Sequence, residues 1–311
     1  MANYSEKVFN ARSKIYDNIR KNNIKPIYDS GILLKYKLSE KDILGIKNQI
    51  KKIILKSLKI WHKKKFKDIR NYLHAYEKEI FQLPNIVPSG TMQPKKEIAK
   101  DFSRLHLLVV RLLKKLELLQ HIEKGAFIGV RLKKGEKLKT KTTKSKRKYA
   151  TTTIHSDAWN GQTSDGSIIL MIGGDIKNNC IKFYEPINIK KNFLKKKKSF
   201  KLGNSFYEKL NYLGESKKNQ LAIFDQLCLH NTSYQSASPK SRVSIDCNIH
   251  WKNKSKKNYF DKRSKRYNYF NLKKWSTLDY TKIQGGVESR FNDTFAETAS
   301  RFKKTIQKYN P

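Results

Sequence analysis

The sequence predicts an α+β fold: helices over the first third, a core of antiparallel strands in the middle, and a mixed extension that closes in a helix. Three observations carry this. Before residue 123 apolar residues recur at intervals of three and four, the period of a helix with one buried face. After Gly125 the texture changes to short β-rich runs broken by polar or glycine-bearing turns with no helical pattern between them, which favours an antiparallel sandwich or barrel over a parallel sheet. Near the C-terminus helical spacing returns. The expected division is 1–123, a mostly helical region packing on the core; 124–255, the strand core; and 256–311, an extension with a terminal helix.

Ser39 is placed to cap a helix whose buried face reads Ile43, Ile46, Ile50, Ile53, Ile54, Leu58. A second amphipathic run, from Ile98 through Phe102, Leu105, Val109 and Leu112 to Leu119, lies between a Pro- and Gly-bearing loop at 84–94 and Gly125. His62, His74, His106 and His121 fall here at no metal-ligand spacing and are expected to be ordinary histidines. The strand core is expected in AFIGVRL, YATTTIHSD, SIILMI, CIKFYEP, NQLAIFDQLCLH and SRVSIDCNIHW. Two lysine-rich insertions, 136–148 and 190–201, interrupt these runs and are expected to be loops. In the tail, Phe291, Phe295, Phe302 and Ile306 share one face of the terminal helix.

The formal net charge is +42 over 311 residues, which by itself suits a polyanionic partner. Yet only twelve of the cations are arginine and the lysines are spread along the whole chain, the pattern of a solvated surface more than of a nucleic-acid interface. No apolar run approaches a membrane span, and the first residues carry no secretory apolar region. Three scattered cysteines, Cys180, Cys228 and Cys247, build neither a disulfide framework nor a thiolate metal site. A cytoplasmic protein is expected, with no membrane partner.

In TTTIHSDAW, an extended chain places His155 and Asp157 on one side, an imidazole and a carboxylate pointing into one space. A lone His-X-Asp arises by accident in a chain with seven histidines. His230, at the end of an apolar run, supplies a third donor, and two histidines with one carboxylate can hold one face of a ferrous ion or another divalent metal. Farther on, Arg242, Ser244 and Asp246 share one face of an expected strand whose other face is Val243, Ile245, Cys247 and Ile249. Arginine's planar fork suits a carboxylate and serine adds a hydrogen bond; on an antiparallel neighbour of the His230 strand the pair would grip a short dicarboxylate. Arg131, alternating with apolar residues, and Trp159, just past Asp157, are candidates for a substrate pocket. His250 is expected to be structural, and Cys228 a small buried filler.

The order His155-X-Asp157, His230, Arg242-X-Ser244 resembles the Fe(II)- and 2-oxoglutarate-dependent dioxygenases, and is most similar to their phytanoyl-CoA dioxygenase-like branch, over roughly residues 126–251. The resemblance implies a double-stranded β-helix, a cupin-like jelly-roll, with His155, Asp157 and His230 as the iron ligands. It further implies that Arg242 pairs with the distal carboxylate of the cosubstrate 2-oxoglutarate, assisted by Ser244. The implied reaction consumes O2, releases succinate and CO2, and hydroxylates a small-molecule or conjugated substrate, an anionic one if Arg131 takes part. Two departures narrow the implication: nucleic-acid demethylases of the superfamily carry an arginine where this chain has Asn248, and halogenases lose the carboxylate that is kept here as Asp157. The alternative is a non-catalytic jelly-roll or a basic nucleic-acid-binding protein.

Overall fold

The computed structural model describes residues 4–87, 89–135, 148–161, 165–236, 239–252, 269–283 and 293–300. Helix α2 (Glu40–His62), after α1 (Tyr4–Arg20), starts at a capping box: the amide of Asp42 donates to Ser39 Oγ at 3.2 Å while the Ser39 amide donates to Asp42 Oδ2 at 3.1 Å. Its isoleucine face, Ile43 to Leu58, is buried as the spacing requires. After two short helices, α3 (Tyr72–Ala75) and α4 (Glu77–Phe81), helix α5 (Lys96–Lys115) lies against α2 and buries Ile98, Phe102, Leu105, Val109 and Leu112.

These helices cover one face of a nine-stranded antiparallel sheet. Its main path runs β1 (Tyr28–Ser30), β2 (Leu33–Lys37), β9 (Gln220–Asp225), β6 (Gly166–Gly174), β11 (Arg242–Trp251), β4 (Ile122–Gly125) and β12 (Phe270–Asn271). Strand β5 (Gly129–Lys133) also pairs with β11, and β3 (Thr91–Met92) pairs with β5. The even-numbered side chains Ile168, Leu170 and Ile172 of β6 join Val243, Ile245 and Ile249 of β11 in one apolar cluster with the helices. The opposite face, with Ile169, Met171, Ala222 and Phe224, looks toward a second sheet of three strands, β10 (Leu229–Tyr234), β7 (Asn179–Ile187) and β8 (Lys209–Glu215), and packs on Ile181, Phe183 and Leu213. Covered on both faces, β6 and β9 read as nearly continuous apolar runs, whereas β11 alternates polar and apolar residues.

Three local features differ from the sequence reading. The β-branched run 149–157 is not a strand: residues 148–153 are turns, a single bridge joins His155 to His230, and Asp157–Asn160 is a short 3-10 helix. The segment's backbone bonds to that of β10 at two points, Thr232 N to Thr151 O at 2.7 Å and the His155 bridge, too few for an extended ladder, and the Asn231 side chain adds a bond to Thr152 O at 3.2 Å. NQLAIFDQLCLH is two strands split by a tight turn, in which Asp225 Oδ1 accepts the Leu227 amide at 2.9 Å. The hairpin β1–β2, inside the region expected to be helical, extends the large sheet through β9.

In the tail, α6 (Leu272–Ser276) buries Trp275 beside Gly125, where any Cβ would overlap the indole, and Tyr280 packs on Phe102 and His106. Residues 295–300 are helical with Phe295 buried; Phe291, Phe302 and Ile306 lie outside the described residues, as does 136–147 of the first lysine-rich insertion. Among the described residues no helix is long and apolar enough to cross a membrane. Cys180, Cys228 and Cys247 are free and buried.

Candidate metal centre and its cavity

His155, Asp157 and His230 converge although no strand carries the first two. One ligand atom from each lies within 4.8 Å of the others: His155 Nε2 is 3.8 Å from Asp157 Oδ1 and His230 Nε2 is 3.9 Å from Asp157 Oδ2. The backbone arranges this. His155 and His230 exchange N–H···O bonds of 3.0 and 2.9 Å, which puts their rings side by side, centroids 4.3 Å apart. Ser156, between the two ligands, turns the other way: its hydroxyl donates to Gln226 O at 2.6 Å and accepts the Ala158 amide at 3.2 Å, starting the 3-10 turn that swings Asp157 back over the rings.

Each histidine uses Nδ1 on a backbone carbonyl, Thr153 O at 2.7 Å for His155 and Cys228 O at 3.2 Å for His230. A carbonyl only accepts, so Nδ1 carries the proton and Nε2 keeps the lone pair a metal needs. Burial, reinforced by the neighbouring His230, pushes the His155 imidazole well below its ordinary range and holds it neutral. Phe200 stacks on the His155 ring at 3.9 Å and 19°, and Phe224 meets His230 edge-on at 5.0 Å. The chemistry of the donor set, two imidazoles and a carboxylate with space in front, fits a divalent transition metal.

The three donors line a cavity of about 600 Å³ between the sheets. Arg242 and Ser244 stand on its floor, on β11. They are not on a neighbour of the His230 strand, as the sequence suggested: β10 belongs to the three-stranded sheet, so histidine and arginine face each other across the cavity. Arg242 is 1% exposed; its Nε donates to Asn179 Oδ1 at 3.2 Å across the sheets, and Nη1 donates to Ser244 Oγ at 3.0 Å. It forms no salt bridge with any described carboxylate. Burial, then the nearby Arg131 cation, pulls its guanidinium down to about 10, so it remains charged near neutral pH with no carboxylate paired to it among the described residues.

Arg131 lines the cavity and is paired with Asp246, Nε to Oδ2 at 2.9 Å, with a second contact through Nη2. Trp159 does not line it: the indole is fully buried, donates to Phe193 O at 2.8 Å and packs on Gly203, because the 3-10 turn carries it away from Asp157. His250 lies apart, its Nδ1 3.0 Å from Asp165 Oδ2. Cys228 is buried in the inter-sheet cluster, its thiol raised by burial. His106 is a core residue between Trp275 O and Tyr280 Oη.

Sequence reasoning missed two contributors. Asn179 orients Arg242 and is itself fixed by Lys133 O and Lys240 O at 3.3 and 3.2 Å. Phe200 closes the back of His155 from inside the second lysine-rich insertion; its only signal was one aromatic residue ending a run of lysines, KKKKSF.

No family model matches the sequence, and no curated protein matches it. Solved structures similar to this chain include the non-heme alpha-ketoglutarate-dependent carbocyclase SnoK from nogalamycin biosynthesis, at 10% identity over 70% of this chain and 79% of that one, TM-score 0.40. AviO1 from Streptomyces viridochromogenes is similar at 11% identity over 78% and 95%, TM-score 0.38. The epimerase SnoN, in complex with ferric iron, alpha-ketoglutarate and a nogalamycin compound, is similar at 9% identity over 76% and 83%, TM-score 0.34.

Proposed function

We propose that the protein is an Fe(II)/2-oxoglutarate-dependent oxygenase on a double-stranded β-helix, which hydroxylates a small-molecule or conjugated substrate and releases succinate and CO2. One observation supports it above the rest: a two-histidine, one-carboxylate donor set and a buried arginine with no described carboxylate paired to it line the same cavity, with His230 and Arg242 on different sheets. Within the phytanoyl-CoA dioxygenase-like branch that the motif order resembles, retention of Asp157 and the Asn at 248 favour hydroxylation of a small-molecule or conjugated substrate.

His155, Asp157 and His230 would hold the iron by one face and leave the positions toward the cavity open. Ferrous iron, when bound, supplies the coupling of 2-oxoglutarate decarboxylation by dioxygen to oxidation of a substrate C–H bond. The chain's own part is placement. Arg242 offers its fork to the far carboxylate, and the Ser244 hydroxyl, which accepts from Nη1, has its own proton left to donate. Ile169, Ile181 and Phe224 give the same space an apolar stretch of wall. The Arg131–Asp246 pair gives the remaining wall a polar patch for substrate.

The test is succinate formation from 2-oxoglutarate under air with added ferrous iron, compared with the Asp157→Ala protein. Formation that needs Asp157 supports the proposal. Silence of both proteins, with tight and steeply salt-dependent nucleic-acid binding, would replace it by the basic binding-protein reading that the +42 charge favours.

A further inference from the structure

The geometry points to Phe200 as a positioning residue that holds the imidazole of His155 in its metal-binding orientation; this rests on the reading of His155 as a ligand. A side-chain hydrogen bond fixes one atom of a ring and leaves it free to pivot about that atom. His155 has such a bond, Nδ1 to Thr153 O at 2.7 Å. The pivot is closed by the face of Phe200, nearly parallel at 19° and 3.9 Å between centroids, on one side and by the His230 ring, tilted 51° at 4.3 Å, on the other. The ring plane is thus set by three contacts, one of them purely aromatic.

Phe200 is itself held. Its amide donates to Lys148 O at 3.0 Å, and Tyr149 meets its ring edge-on at 5.1 Å while donating through Oη to Lys197 O at 2.8 Å. The same segment grips the turn that bears Asp157: the Lys197 amide donates to Trp159 O at 2.8 Å, and Phe193 and Gly203 enclose the Trp159 indole. Residues 190–206 therefore brace two ligands at once, Asp157 through the Trp159 turn and His155 through the ring of Phe200. Contacts that orient a ligating histidine typically change metal affinity by about 10- to 100-fold when lost.

The experiment is titration of the metal-free protein with Co(II) alone, read by affinity and by the visible absorption of the bound ion, on the parent, Phe200→Leu, Phe200→Tyr, Ile50→Ala and Asp157→Ala. Phe200→Leu should bind Co(II) about tenfold more weakly, with an altered spectrum. Phe200→Tyr, which keeps the ring face, should match the parent. Ile50→Ala removes buried apolar surface from α2, in the core on the helix side of the large sheet, and should melt earlier yet keep its Co(II) affinity. Equal Co(II) affinity in the parent and Phe200→Leu overturns the inference, as does a tyrosine variant as weak as the leucine one. Should Phe200→Leu fail to fold, the tyrosine variant still decides: a folded Phe200→Tyr protein that binds Co(II) more weakly than the parent overturns it. Undiminished Co(II) binding by Asp157→Ala would remove the ligand reading itself, whereas loss in that variant with none in Phe200→Leu removes only the role of Phe200.

Discussion

The backbones of His155 and His230 are joined by a reciprocal pair of hydrogen bonds, 3.0 and 2.9 Å long, so main chain holds the two ligand-bearing residues side by side. Ligand deletions should therefore act on the metal and spare the fold.

Asp157→Ala is expected to abolish turnover and to leave iron bound weakly, because two imidazoles then lack the anionic donor. The Asp157 side chain is partly exposed, so the melting temperature should move little. Iron content, melting temperature and succinate release on one preparation check this; parent-like succinate release would remove Asp157 from the ligand set.

Arg242→Leu is expected to raise the Michaelis constant for 2-oxoglutarate by at least about tenfold, the loss of a charge-assisted contact of about 1.5 to 3 kcal/mol. Iron affinity should hold. Stability should also hold, since the substitution removes a buried cation that has no carboxylate among the described residues to leave behind. Lysine restores the charge without the planar fork and should rescue in part. An unchanged saturation curve for 2-oxoglutarate would count against the cosubstrate role.

His106 links stability to pH. Burial lowers its pKa from 6.5 to about 4 in the fold, against a small opposing effect of Trp275 O. The unfolded chain then binds the extra proton first, so the contribution is present above pH 6.5 and is lost as pH falls toward 4, on the order of 3 kcal/mol in all. Urea midpoints at several pH values should fall across that window in the parent and more shallowly in His106→Gln.

Arg12→Leu should destabilise the fold by about 3 to 5 kcal/mol, because the guanidinium of α1 sits between Asp225 Oδ2 at 2.8 Å and Asp165 Oδ1 at 3.1 Å, and Asp225 is fully buried. Adding Asp225→Asn should recover part of the loss. Denaturant midpoints of the single and double variants measure the coupling.

The chemistry-bearing residues were legible where they sit two apart, His155 with Asp157 and Arg242 with Ser244, because short spacings survive an error in local structure. The first pair shows it: the expected strand is absent, yet Ser156 anchored to Gln226 O reproduces its outcome. What sequence could not reveal was contact between distant segments. Thr151 to Ile154 have strand-forming side chains but meet only one flank of β10, and Phe200 looked like part of a solvated loop until its ring lay on His155. The apolar run through Asp225 hid a turn because the turn, too, is buried. On the helical side the periodicity of α2 and α5 sufficed, whereas β1 and β2 are too short to show a period, and β2 joins their hairpin to the sheet by pairing with β9.

That pairing has a consequence for how the molecule is made. Arg12 and Asp225 are 213 residues apart in the chain, and β2, already paired with β1, finds its second neighbour in β9. During synthesis the hairpin at residues 28–37 must wait with an open edge until most of the chain has followed it. Contacts this remote slow folding and prolong exposure of unpaired strands. Lysines spread along the whole length give the waiting chain a mutual repulsion that opposes aggregation, so the +42 charge serves the nascent polypeptide whatever it does for the finished one.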